Sequence, residues 1–198
     1  FKDILELKQG ECATFDKNGL KLWEYWKLRA KIHTDNLEQT IEKTRFLLSD
    51  SITRQLVSDV PLCTFLSGGL DSSIISKVAA DEYSKRGEKL STYSIDYKGN
   101  DIYFKSNDFQ PNADAPWIEL MSKFLGSSHT NVVADTPALI EALYDAVIAR
   151  DLPGMADVDS SLLLFCREVK KDFTVAVSGE CADEIFGGYP WYHDKNIL

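Results

Sequence analysis

The strongest constraint on the fold is a regular alternation of short apolar runs with longer amphipathic stretches, which begins near residue 61. Patterns typical of strands occupy residues 61–66, 89–97, 128–133 and 173–178. Patterns typical of helices occupy residues 71–86, 115–126, 136–150 and 160–171. Strands that alternate with helices favour a parallel sheet covered on both faces, with right-handed crossovers. We therefore predict an α/β fold with a doubly wound parallel sheet.

The first 28 residues follow a different pattern. Asn18-Gly19 between two extended stretches is typical of a hairpin turn. The aromatic residues Trp23, Tyr25 and Trp26 come next and are predicted to be buried, because their side chains are largely apolar. We expect residues 1–28 to end a preceding module that packs on the main domain.

A long helix is predicted after this module. Asp35, with Glu38 three residues later, matches a capping box at its start. Its predicted buried stripe consists of Leu37, Ile41, Leu48, Ile52 and Leu56.

Composition limits the kinds of partner. With 44% hydrophobic residues, 27% charged residues and no apolar run near the ~20 residues of a membrane helix, the chain is typical of a soluble protein with no membrane partner. A net charge of -9 argues against a nucleic-acid partner, because phosphate neutralisation requires Lys and Arg. Neither an initiator Met nor a signal peptide is present, so we expect a piece of a longer protein, with a processed terminus as the alternative.

The four cysteines lack the spacing of a metal site and predict a reducing, cytoplasmic compartment. Cys63 and Cys166 lie in apolar runs and are predicted to be buried as small hydrophobic residues.

The first predicted strand runs directly into the turn "SGGLDSS", residues 67–73. Gly68 and Gly69 permit close backbone approach, and the free N–H groups of the following helix favour an anion such as phosphate. Asp71 would repel phosphate unless a cation lies between them, and Mg²⁺ suits its oxygen ligands. The turn is neither a Walker A loop nor a nucleophile elbow. The alternative is a structural turn in which Asp71 or a serine caps the helix.

A second turn, "SGECADEIFGGY", follows the last predicted strand. Asp183 could supply a second Mg²⁺ ligand, and Glu180 could act as a general base on an amine. The alternative is that Asp183 and Glu184 are ordinary acids in the first turn of a helix. Because ligands of open parallel sheets bind at the carboxyl ends of the strands, we predict that the two turns form two walls of one crevice.

The two turns together resemble a known family. "SGGLDSS" is similar to the pyrophosphate-binding loop of ATP pyrophosphatases, and "SGECADEIFGGYPWY" resembles the S-G-E-G-[AS]-D-E-x-F-G-G-Y signature of glutamine-hydrolysing asparagine synthetases. The resemblance implies the PP-loop, adenine nucleotide alpha hydrolase-like type of fold. It also implies that residues 1–28 are the end of a glutaminase domain and that residues 29–198 are the first part of the synthetase domain.

The resemblance implies an ATP- and Mg²⁺-dependent reaction of aspartate with ammonia from glutamine. Asp71 and Asp183 would bind Mg²⁺, and Glu180 would lie beside the reacting acyl group. The backbone of Leu66 and Ile95 would flank adenine. The residues that would hold the phosphates or close over the nucleotide are Ser67, Gly68, Gly69, Asp71, Ser72, Ser73, Ser178 and Gly179. The segment "DLPGMADVDSS", from Asp151 through Pro153 to Ser160–Ser161, matches the family's aspartate-binding segment loosely.

Two departures from the family pattern stand out. Cys181 replaces the usual glycine, and the family's catalytic Lys is expected beyond Leu198. We therefore expect the 198-residue chain alone to make little asparagine. A related adenylating enzyme, of the β-lactam synthetase or peptide-maturation type, and a nucleotide-binding module without catalysis are the alternatives. A homodimer is left open.

The polar segment 98–112, with Asp101, Asn107 and Asp108, is interpreted as mobile surface rather than a lid.

Overall fold

The computed structural model describes residues 2–106 and 112–194. These residues form two compact units, which are divided between Lys43 and Thr44. The predicted boundary between residues 28 and 29 stays a prediction. No helix in the described ranges is long and apolar enough to cross a membrane.

The first unit contains a two-stranded antiparallel hairpin. Strands β1 (Glu11–Asp16) and β2 (Gly19–Glu24) pair with Asp16 opposite Gly19, as the Asn-Gly signal predicted. The predicted burial of the aromatic residues is wrong. Trp23, Tyr25 and Trp26 are 41%, 67% and 56% exposed, because a two-stranded sheet has no second layer within the unit to cover them.

Helix α1 spans Leu37–Gln55 and begins one residue later than its predicted cap implies. Asn36 Oδ1 accepts from the Gln39 backbone N–H at 2.9 Å, and Gln39 Oε1 accepts from the Asn36 N–H at 3.0 Å, which is a reciprocal capping box. Asp35 instead pairs with Lys43 at 3.1 Å. The buried stripe is confirmed for Ile52 and Leu56, whereas Leu37 and Ile41 at the start of the helix are exposed.

The second unit is built on a four-stranded parallel sheet, so the predicted fold class is confirmed. Its strands are β3 (Leu62–Phe65), β4 (Ser91–Tyr97), β5 (Ser128–Ala134) and β6 (Val175–Val177), in the order β5-β4-β3-β6.

The connecting helices are α2 (Leu70–Lys85), α3 (Asn100–Tyr103), α4 (Ala115–Leu125), α5 (Thr136–Arg150) and α6 (Ala156–Val169), and α7 (Ala182–Phe186) and a 3₁₀ turn (Pro190–Tyr192) follow β6. Helix α6 begins four residues before its predicted start at residue 160. Helix α3 and the exposed Asp101 lie in the segment that we interpreted as surface. Asn107 and Asp108 lie outside the described residues.

Helices cover both faces of the sheet, and the alternation of side chains along β3 shows how. Leu62 packs with Ala79 of α2 on one face, whereas Cys63 packs with Phe165 and Val169 of α6 on the other. Cys63 is fully buried as predicted. Cys166 is exposed, contrary to prediction, because it follows Phe165 on the helix and therefore points away from the sheet.

The strand order reverses at β3. The chain moves outward from β3 to β4 and β5 and then returns to β6 on the other side of β3. The carboxyl ends of β3 and β6 are therefore neighbours, and the two predicted turns follow these two ends. A reversal of this kind is the usual place for a ligand in an open parallel sheet.

Candidate functional site

The turn between β3 and α2 is stabilised by its own serines. The Ser67 backbone N–H donates to Ser72 Oγ at 3.2 Å, and the two hydroxyls lie 3.0 Å apart. Ser72 Oγ in turn donates to the Gly69 carbonyl at 3.2 Å. Gly69 is the N-cap residue of α2, and no side chain caps the helix, so the structural alternative of an Asp71 or serine cap is wrong. The first N–H groups of α2 are thus available to an anion.

Gly68 is held closely against helix α4. Its φ is +80°, and a Cβ at this position would lie 2.7 Å from Trp117 Cβ and 2.9 Å from the Ile118 backbone nitrogen. The contact leaves no room for a side chain. Gly68 therefore lets the turn and α4 pack together, a contact that the local sequence pattern did not indicate.

The turn after β6 contacts the first turn directly. A Cβ on Gly179 would lie 3.1 Å from Asp71 Cβ and 3.2 Å from the Ser72 backbone nitrogen. Cys181, where the family signature has glycine, adopts a left-handed backbone with φ of +69°. A conformation of this kind is unfavourable for residues that carry a Cβ.

The two turns line a single cavity of about 230 Å³. The predicted residues that line it are Ser67, Gly69, Asp71, Ser72, Ser178, Gly179, Glu180 and Asp183. The expectation that both turns contribute to one crevice is therefore confirmed.

Four predicted residues lie away from the cavity wall. Leu66 is 1% exposed, and its N–H donates to the Tyr93 carbonyl at 2.8 Å. Ile95 packs against the core on the α6 side, and the Ser73 N–H donates to the Gly69 carbonyl. Gly68 faces α4, as described above. The adenine-flanking role of Leu66 and Ile95 stays a prediction.

Three lining residues were not predicted as site residues: Phe65, Cys181 and Tyr189. Phe65 is the last residue of β3 and lies just before the first turn, and this position in the sequence could have identified it as a lining residue. Tyr189 closes the second motif. Its ring stacks on Trp191 with centroids 4.1 Å apart and planes 18° apart, and its hydroxyl donates to Glu184 Oε1 at 3.3 Å.

Negative charge dominates this cavity. Asp71, Glu180 and Asp183 line it, and within the described part of the chain neither Lys nor Arg does. Partial burial, followed by the nearby carboxylates of Glu184, Asp183 and Glu180, raises the pKa of Tyr189. The Tyr189 hydroxyl is therefore a hydrogen-bond donor at neutral pH.

The carboxylates of this cavity fit a metal ion that is coordinated jointly by the protein and a bound ligand better than one coordinated by the protein alone. Asp71 and Asp183 provide hard oxygen ligands, and among the described residues no group of three or more His, Cys, Asp or Glu side chains could hold a metal. Mg²⁺ commonly binds through one or two carboxylates and completes its shell with phosphate oxygens and water. The arrangement suits Mg²⁺ that arrives with a nucleotide.

Among the residues whose side chains the structure describes, those of the segment that loosely resembles an aspartate-binding loop do not line the cavity. Arg150 Nη1 pairs with Asp159 Oδ1 at 2.5 Å, and Ser160 and Ser161 at the end of the segment are buried. Asp151 and Pro153 are exposed. The role of this segment stays a prediction.

Comparisons with known proteins agree with the two motifs. Residues 43–198 match the family model described as asparagine synthase. The glutamine-hydrolysing asparagine synthetase 3 of Bacillus subtilis (strain 168) is 55% identical over 198 residues, which are 100% of this chain and 32% of that protein. The asparagine synthetase 1 of the same organism is 32% identical over 197 residues, which are 98% of this chain and 29% of that protein.

The chain thus spans 32% and 29% of the length of these two curated relatives. Among solved structures, an NAD⁺ synthetase from Burkholderia pseudomallei matches with a TM-score of 0.42 and 13% identity, covering 77% of this chain and 66% of that chain.

Proposed function

Because the chain belongs to the asparagine synthase family, we propose that it binds Mg·ATP for an ATP-dependent conversion of aspartate to asparagine. The observation that carries this proposal is the cavity in which three carboxylates share a wall with the uncapped start of α2. We assign the complete reaction to the full-length protein, in which a glutaminase domain would supply ammonia from glutamine.

The α2 turn is suited to the phosphates of ATP. Gly69 leaves the first N–H groups of α2 without a side-chain cap, and the positive end of the helix dipole favours an anion there. Ser67 and Ser72 line the same wall with hydroxyl groups. We assign Ser178 and Gly179 to the opposite wall, where they would close over the nucleotide.

We assign Mg²⁺ to Asp71 and Asp183, which line the same cavity. Bound there with the nucleotide, Mg²⁺ would offset the charge that grows on the leaving pyrophosphate. Without a cation the two carboxylates would repel the phosphates.

The chemistry follows from the poor reactivity of a free carboxylate. An oxygen of the aspartate side chain forms a bond to the α-phosphorus of ATP, and the bond from that phosphorus to the oxygen bridging the β-phosphate breaks. Pyrophosphate leaves, and an aspartyl-adenylate remains. Ammonia then forms a C–N bond, the C–O bond to the phosphate breaks, and AMP leaves. Glu180, on the exposed lip of the cavity, would take the proton from the attacking nitrogen.

Asp71→Asn tests the nucleotide role. In the full-length protein we expect Mg·ATP affinity to fall roughly tenfold or more, because interactions with charged groups are worth about 1.5–3 kcal/mol. Asp81→Asn, on the exposed surface of the same helix, is the matched control. If the Asp71→Asn variant and the wild type bind Mg·ATP with equal affinity, Asp71 has no role in nucleotide binding.

Glu180→Gln tests the catalytic role. We expect ATP to bind normally and aspartate-dependent pyrophosphate release or asparagine formation to slow by about 100- to 10,000-fold. Glu184→Gln, in the following helix α7, is the control for the loss of a carboxylate as such, because Glu184 does not line the cavity. Pyrophosphate release that is independent of aspartate would contradict the proposed substrate.

A further inference from the structure

The carboxylate of Asp183, in the first turn of α7, lies against Gly188, which follows the end of the same helix. The backbone N–H of Gly188 donates to the Asp183 carbonyl at 3.0 Å, so the chain folds back over the start of the helix. Gly187, the residue between the helix and Gly188, makes this reversal in a left-handed conformation with φ of +66°.

The place where a Cβ on Gly188 would stand is taken by the carboxylate. The added atom would overlap Asp183 Oδ1 and lie 3.0 Å from its carboxyl carbon, while the nearest backbone atom, Asp183 Cα, is 3.4 Å away. Gly188 is not among the residues with positive φ, so its backbone conformation is open to alanine. Position 188 therefore requires glycine because the Asp183 carboxylate occupies the space of a side chain, and not because of the backbone angle.

Gly188 differs in this respect from Gly68 and Gly179. A Cβ on Gly68 would overlap the start of α4, and a Cβ on Gly179 would press on Asp71 Cβ and the Ser72 backbone nitrogen of α2, so in both cases backbone would have to shift. At Gly188 the obstructing atoms belong to one side-chain end, which can rotate out of the way. The consequence of a larger residue would therefore fall on the position of the carboxylate.

We propose that Gly188 is a positioning residue for the Mg²⁺ ligand Asp183. Its missing side chain leaves the space in which the Asp183 carboxylate is held at the cavity wall. A methyl group at position 188 displaces the carboxylate and weakens the binding of Mg²⁺ with ATP, although Gly188 itself contacts neither. This inference rests on the proposed function, which assigns Mg²⁺ to Asp183.

The test is a titration of Mg²⁺ against the binding of fluorescent ATP to the full-length protein, followed by anisotropy. In Gly188→Ala we expect the half-saturating Mg²⁺ concentration to rise about 10- to 100-fold, as for other losses of groups that orient a metal ligand. Nucleotide binding in excess EDTA stays unchanged. In the Asp183→Asn background, the further change Gly188→Ala has no effect on the Mg²⁺ requirement.

Gly187→Ala is the matched control. A Cβ there would come no closer than 3.9 Å to Tyr192, but the left-handed φ is unfavourable for alanine. We expect this variant to lower stability and to raise the Mg²⁺ requirement far less than Gly188→Ala does, because it adds no atom beside the Asp183 carboxylate.

If Gly188→Ala fails to fold, the double variant Asp183→Ala/Gly188→Ala removes the overlapping carboxylate and is expected to fold. Failure of that rescue would overturn the inference. A Mg²⁺ requirement that stays the same in Gly188→Ala as in the wild type would overturn the inference alone. ATP binding by the wild type that does not depend on Mg²⁺ would overturn both the inference and the metal role in the proposed function.

Discussion

His129 shows how a single half-buried residue can link the sheet to pH. Its Nδ1 lies 2.9 Å from Thr92 Oγ1, and its Nε2 lies 3.0 Å from Ser94 Oγ, so both ring nitrogens are paired with hydroxyls of β4. Thr92 and Ser94 are buried. Burial lowers the pKa of His129, because a charged ring loses hydration inside the protein.

The lowered pKa predicts a loss of stability in acid. The unfolded chain takes up a proton on His129 near its ordinary pKa of about 6.5, whereas the folded chain resists protonation until a lower pH. The free energy of unfolding should therefore fall as the pH drops below about 6.5. The loss is on the order of 1 kcal/mol at most, because the ring is only partly buried.

Urea unfolding of the wild type and His129→Gln between about pH 7.5 and pH 5.5 measures this effect. The variant should show a flatter dependence on pH in this range. The substitution His33→Gln, at an exposed position of the first unit, controls for the loss of a histidine as such. An equal slope in the wild type and His129→Gln would contradict the assignment.

At the scale of elements, the packing of α4 on the first turn predicts a strong effect of Gly68→Ala. The new Cβ would meet the backbone of Ile118, and alanine would also have to adopt a φ of +80°. We expect a destabilisation of about 2–4 kcal/mol, because steric strain and an unfavourable backbone angle combine.

Gly69→Ala is the control for this prediction, because its φ is -71° and its Cβ would meet only Ser67 Oγ at 3.4 Å. The two variants can be compared by chemical unfolding. If they lose the same stability, the contact with α4 is not what requires glycine at position 68.

The sequence pattern predicted the four parallel strands and the longer helices, because each is apolar or periodic over enough residues. It did not predict α3 or the packing of α4 on Gly68. Helix α3 is too short to show a period, and the contact joins Gly68 to Trp117 across a long stretch of chain. The capping box was misplaced by one residue because Asp35 and Asn36 are both good N-cap residues.

The cavity residues were predicted for the same reason as the strands. Both turns follow short apolar strands, so parallel topology alone brings them to one edge of the sheet. Phe65 was missed although it lies directly before the first turn, and Tyr189 was missed because its place in the wall depends on how the chain turns after α7.

At the scale of the whole molecule, charge predicts what the 198-residue chain can do alone. Its net charge is -9, and the described cavity presents carboxylates without a lining Lys or Arg. The N–H groups of α2 and a bound Mg²⁺ offset part of the charge of ATP, but adenylation also requires stabilisation of the charge that develops at the α-phosphorus. We therefore expect the isolated chain to bind Mg·ATP weakly and to form no measurable asparagine from aspartate and ammonia.

Asparagine formation and aspartate-dependent pyrophosphate release, measured for the isolated chain and the full-length protein with ammonium chloride in place of glutamine, test this expectation. Ammonium removes the need for glutamine hydrolysis, so any difference concerns the synthetase reaction itself. Circular dichroism of the isolated chain establishes that it is folded under the assay conditions. Comparable rates for the two proteins would mean that the groups in this chain suffice for adenylation, and the charge argument would then be wrong.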